Sequence, residues 1–150
     1  MIRKAKIEDI KQIQNLINNF AKQDVMLPRS LNELYENLRD FWVVEKNAKI
    51  IGCCAMHISW DDLAEIKSLA VAKNAQGRGI GRQLISACLN EAKGIGVRRA
   101  FVLTYRLDYF KKLGFKKVKN SALPHKVWAE CINCCKFPDC QEVALIKKLA

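Results

Sequence analysis

The sequence predicts an α+β fold in which helices pack on a mixed β-sheet, and three observations predict it. The first is a strand, loop and helix read continuously from Leu63 to Ala92. The second is a set of short apolar segments with strand character on both sides of that unit. The third is length: 150 residues, half of them apolar, make one domain with a sizeable core, expected to span 1–150.

In chain order, residues 2–5 read as a first strand. From Glu8, residues Ile10, Ile13, Leu16, Ile17 and Phe20 form a helical stripe, with acidic residues in the first turn where the helix dipole favours them. Residues 25–29 form a loop containing Pro28. Ser30-Leu31-Asn32-Glu33 has capping-box spacing and opens a short helix carrying Leu31, Leu34, Tyr35 and Leu38. Segments 41–45 and 50–59 are strands joined by a tight turn at 46–49. In the strand that opens the central unit, Glu65, Lys67, Leu69 and Val71 alternate onto one face. Ala64, Ile66, Ser68 and Ala70 take the other. After the glycine loop, Ile80, Leu84, Ile85, Cys88, Leu89 and Ala92 recur at helical spacing, and Gly94 ends the run. Residues 99–105 are an apolar strand, 107–113 a short helix, 115–118 a strand and 142–149 a final strand. No repeat, low-complexity segment or linker interrupts the chain.

Composition narrows the setting. No apolar run approaches the ~20 residues that cross a bilayer, and the opening MIRKAKIEDI lacks the apolar stretch of a secretion signal. Seven cysteines, an odd number, then imply free thiols and a cytoplasmic location. The net charge of +11 suits a nucleic-acid surface, but equally a cosubstrate with several phosphates and a substrate with carboxylates. Lysines on solvated helix faces account for much of the excess.

The loop Gln76-Gly77-Arg78-Gly79-Ile80-Gly81-Arg82 joins a strand to a helix start, where unpaired N–H groups and the helix dipole favour an anion. Glycine there lets a phosphate approach the backbone. The spacing is G-x-G-x-G rather than the dinucleotide G-x-G-x-x-G, and no lysine follows Gly81 as a P-loop requires.

The string Q-x-x-G-x-G directly after Leu69-Ala70-Val71, together with YFKKLGF at positions 109–115, resembles the GNAT N-acetyltransferase superfamily across essentially the whole chain. That resemblance implies the GNAT fold and acetyl-CoA as cosubstrate, held at Leu69, Ala70, Val71 and the loop from Gln76 to Arg82. Leu27-Pro28-Arg29-Ser30, Ala64-Glu65-Ile66-Lys67-Ser68-Leu69-Ala70-Val71, Val102-Leu103-Thr104 and 109–115 also resemble the acetyltransferase domain of bacterial N-acetylglutamate synthases. The likeness is to a short, stand-alone form without the kinase-like, arginine-binding domain. Many GNAT enzymes carry a tyrosine acid four residues before the glycine of the final GF; here that position is Phe110, as in the synthases.

Acetyl transfer from a thioester to an ammonium requires a base, an oxyanion site and a donor for the leaving thiolate. Glu65, on the strand beside the loop, matches the residue proposed as base in the synthases; its bland alternative is a surface pair with Lys67. Backbone N–H groups near Leu69 to Val71 would hold the oxyanion. Thr104 matches a hydroxyl residue of the synthases and is the expected thiolate donor, with Tyr105 and Tyr109 in reserve. Substrate carboxylates call for arginine or lysine. Arg29 matches an arginine that meets glutamate in the synthases, and Lys67, Arg106 and Lys136 are further candidates. His57 and His125 receive no role. Cys131, Cys134 and Cys140 form a dense thiol cluster that Cys135 or His125 could complete as a zinc site. A second well-spaced pair is missing, so no metal is expected.

The reading is thus an acetyl-CoA-dependent amino-acid N-acetyltransferase, with glutamate the preferred acceptor. Other amines, a non-catalytic acetyl-CoA sensor and a basic nucleic-acid-binding module are the alternatives. The expected partners are the small-molecule substrate and at most a second copy in a homodimer; no membrane or nucleic acid is expected.

Overall fold

A computed structural model describes residues 1–22, 28–123 and 142–149. The elements are β1 (Ile2–Lys4), α1 (Ile10–Ala21), α2 (Leu31–Glu36), β2 (Phe41–Lys46), β3 (Lys49–Trp60), β4 (Leu63–Val71), α3 (Ile80–Gly94), β5 (Arg99–Thr104), α4 (Leu107–Lys112), β6 (Lys116–Val118) and β7 (Val143–Lys148). This is the expected order. The sheet has seven strands in the order β1-β2-β3-β4-β5-β7-β6, and β4–β5 is its parallel pair.

Local chemistry explains the element ends. Asp9, buried at the entrance to α1, accepts from the Lys6 backbone N–H at 2.8 Å and from the Arg3 guanidinium at 2.7 and 3.1 Å. The Arg3 guanidinium holds the Asp9 carboxyl below its ordinary range and so ties β1 to α1. Ser30 Oγ accepts the Glu33 N–H at 3.1 Å and caps α2. α2 closes at Glu36, and Leu38 already belongs to a separate 3₁₀ turn, Leu38–Asp40, that feeds β2. The β2–β3 turn is built from Asn47 and Ala48, both with positive φ, which suits the twist of a two-residue hairpin.

Each face of the sheet carries its own core. Ile10, Ile13 and Ile17 of α1 and Leu34 of α2 pack on Phe41, Val43, Cys53, Ala55 and Ala70. On the other face Leu84, Ile85, Cys88 and Ala92 of α3, with Phe110 and Phe115, pack on Cys54, Met56, Ala64 and Ile66. Among the described residues no helix is long and apolar enough to cross a membrane.

One expectation is corrected here. Simple alternation puts Val71 on the face of Glu65 and Lys67, but the register slips within β4. Cys53 pairs with Ala70 and Ala55 with Lys67, so β4 uses one residue more than β3. Ser68, at φ 56°, occupies the bulge. Beyond it the parity reverses. Glu65 and Lys67 pair with His57 and Ala55 and face α1 and α2, whereas Leu69 and Val71 pack in the α3 core.

The parallel ladder between β4 and β5 comprises Leu63↔Arg99, Ala64↔Ala100 and Glu65↔Phe101. It stops there, although β4 runs on to Val71 and β5 to Thr104. The two strands therefore part at Glu65 and open a wedge in the middle of the sheet.

Candidate active site

On the α1/α2 face lies a pocket lined by Arg29, Glu33, Asp40, His57, Lys67 and Ser68 among others. Arg29 is fixed by its main chain before its side chain does anything. Its N–H donates to Asn18 Oδ1 at 3.2 Å, and its carbonyl accepts from Gln14 Nε2 at 3.3 Å. The guanidinium Nη1 donates to Glu33 Oε2 at 2.8 Å, one helical turn on, and Nε is buried without a hydrogen-bond partner. Lys67 reaches the same pocket from β4. Two cations expected for carboxylates are thus brought together. Arg106 is not: it stands before α4 with its guanidinium 4.5 Å over the Tyr109 ring.

Sequence reasoning missed His57 and Asp40. His57 Nδ1 lies 2.6 Å from Asp40 Oδ2, and His57 is the register partner of Glu65. Only the β3–β4 register could have revealed this, and a second register shift between Ile58 and Trp60 conceals it from a count back from the turn. Glu65, half-buried, stands beside this pair at the foot of the wedge.

On the wedge's other side the glycine loop begins with Gln76, whose Nε2 donates to the Val71 carbonyl at 3.0 Å and folds the loop back on β4. Gly77 and Gly79 both have φ 79°, and a Cβ at either would meet nothing within 4 Å. These glycines are therefore demanded by backbone conformation and leave open space above the chain. Gly79 is the N-cap of α3 and supplies no side-chain cap, so the first-turn N–H groups face that space. Exposed Arg78 and Arg82 flank it. An open cradle of amides between two arginines fits the pyrophosphate of a CoA thioester. Leu69 and Val71 turn their side chains into the α3 core, and Ala70 turns to the opposite core, which leaves main-chain groups as what this stretch offers a ligand.

At the end of β5, Thr104 Oγ1 accepts the Arg106 N–H at 2.9 Å. That bond occupies a lone pair and leaves the hydroxyl proton for donation. Tyr109 packs edge-on against Phe110, and its hydroxyl lies where a Gly81 Cβ would come within 2.8 Å. Burial raises its pKa, so it stays a neutral phenol. Cys53 is fully buried with its thiol pushed up to about 12, and Cys54 is likewise raised by Cys88 and burial. Both are unreactive core residues. Cys131, Cys134, Cys140 and Lys136 lie outside the described residues.

Residues 37–117 match the model of the acetyltransferase (GNAT) domain. An uncharacterised N-acetyltransferase of Chlorobaculum tepidum is 36% identical over 99% of this chain and 96% of its own. An amino-acid acetyltransferase of Mycobacterium tuberculosis is 32% identical over 87% of this chain and 76% of its own. Among solved structures, N-acetylglutamate synthase from Neisseria gonorrhoeae, complexed with coenzyme A and N-acetyl-glutamate, superposes with a TM-score of 0.91 at 28% identity. The match covers all of this chain and 35% of the synthase chain. The chain belongs to the GNAT acetyltransferase family. It is an N-acetyltransferase with the GNAT fold, and its relatives include enzymes that acetylate amino acids.

Proposed function

We propose that the protein transfers acetyl from acetyl-CoA directly to the α-amine of L-glutamate, supplying N-acetylglutamate for arginine biosynthesis in the cytoplasm. One observation carries the acceptor: Arg29 and Lys67 converge on one pocket, and Glu65 lies two residues before Lys67 on the same face of β4. The amide cradle at Gly77 and Gly79 supports the donor, as does the coenzyme A held by the Neisseria synthase.

The acceptor's carboxylates pair with Arg29 and Lys67, which places its ammonium toward Glu65. Glu65 removes a proton. The amine attacks the thioester carbonyl entering through the wedge, and backbone N–H groups around Leu69 to Val71 bind the oxyanion. As the adduct collapses, Thr104 hydrogen-bonds the departing thiolate, while Arg78 and Arg82 hold the phosphates. Arg106, stacked on Tyr109, serves the cofactor side of the wedge.

A guanidinium grips a carboxylate with two parallel bonds, whereas an ammonium gives a point charge. Arg29→Lys therefore raises the KM for glutamate. Arg29→Ala costs more, on the order of 2–4 kcal/mol in kcat/KM if the substrate carboxylate is left buried and unpaired. Both variants keep the wild-type KM for acetyl-CoA. Steady-state kinetics check this, and identical glutamate kinetics for Arg29→Ala would remove the residue from the site.

A further inference from the structure

Proton bookkeeping raises a demand that the residues above do not meet. An ammonium that becomes an amide loses two protons. One leaves with the thiolate as CoA thiol, and the other must reach solvent in every turnover. Glu65 takes that second proton, so it has to be emptied before the next acceptor binds.

We infer that Asp40 and His57 form the route by which Glu65 returns its proton to water. His57 is the cross-strand register partner of Glu65, and side chains so paired have Cβ atoms about 4.5–5.5 Å apart. Its Nδ1 lies 2.6 Å from Asp40 Oδ2. A carboxylate accepts only, so the neutral ring carries its proton on Nδ1 and its lone pair on Nε2. Nε2 is therefore the atom that receives a proton from Glu65. The His57 side chain is 37% exposed and Asp40 24%, so the ring spans the half-buried base and the solvent.

Other ionisable groups stand in the same pocket as the ring. Lys67 from β4, Arg29 ahead of α2 and Asp40 before β2 line the same pocket as the ring. Glu33 of α2 lines that pocket as well, and Glu65 is the ring's register partner on β4. The step moves one proton, from Glu65 to Nε2 and then to water, and no bond to carbon changes.

The inference rests on the acceptor reading above. Its test measures acetylated glutamate by chromatography, at saturating acetyl-CoA and glutamate, for wild type, His57→Ala and Asp40→Asn. Thermal unfolding verifies that each variant is folded. The relay predicts that kcat of His57→Ala falls roughly tenfold or more at pH 7, with the KM for acetyl-CoA unchanged. Added imidazole restores kcat with saturable dependence. Asp40→Asn, which no longer favours the Nδ1–H tautomer, also loses kcat but gains nothing from imidazole, because the ring still fills its place. A packing role would not respond to imidazole. An unimpaired His57→Ala, or a loss that imidazole does not restore in folded protein, overturns the relay alone. A wild-type protein that acetylates no amino acid overturns the acceptor reading and the relay with it.

Discussion

Glu65 sits where chemistry and architecture make the same demand. It occupies the last residue of the parallel ladder with β5, so it is anchored on one side and faces the opened strands on the other. Removing its negative charge while keeping its shape should reveal whether it handles protons. Glu65→Gln is expected to lower kcat by ~10²–10⁴ at neutral pH, with acetyl-CoA affinity retained. The deficit should shrink as pH rises and more acceptor arrives as free amine. A pH–rate series of the variant checks this, and near-normal turnover at pH 7 would leave Glu65 a structural carboxylate. Glu65, Arg29 and Lys67 were legible as candidates because the proposed acetylation of an acidic amino acid needs a base and cations, and the sequence places these residues in recognisable strings. His57 was not legible. A lone histidine in an apolar strand says nothing until Asp40, 17 positions earlier, is seen to hold its ring.

The elements were read well where periodicity is strong. The stripe of α1, the cap of α2 at Ser30 and the strand–loop–helix unit all stand as expected. The face of Val71 was misread because alternation assumes an unbroken pleat, and one extra residue at Ser68 inverts it. Bulges leave no periodic trace, since Ser68 is an ordinary strand-to-turn residue in composition. The glycine loop is the opposite case, where residue type declares conformation. Gly79 holds φ 79°, a left-handed geometry that costs a residue with Cβ about 1–2 kcal/mol. Gly79→Ala should disturb the first-turn amides of α3 and weaken CoA binding by about tenfold, equivalent to ~1.4 kcal/mol. Calorimetry with CoA on the folded variant checks the loop's role. Unchanged affinity would move the pyrophosphate elsewhere.

At the scale of the molecule, two opposite cores hold the two halves of the candidate site apart and a wedge joins them. α1 and α2 cover the face with Arg29, Lys67 and His57, and α3 supplies the amide cradle from the other face. In the proposed reaction the splayed strands let an amine and a thioester meet through the sheet, which a continuous ladder would forbid. The charge of +11 suits the proposed reaction, because both the CoA donor and the proposed acceptor are anionic. The most direct test incubates the protein with acetyl-CoA and a panel of amino acids, polyamines and peptide N-termini, and identifies products by mass. The account predicts that N-acetylglutamate forms with the highest kcat/KM, followed by other acidic amino acids. Acetylation of a polyamine or a peptide N-terminus, with none of any amino acid, would contradict it.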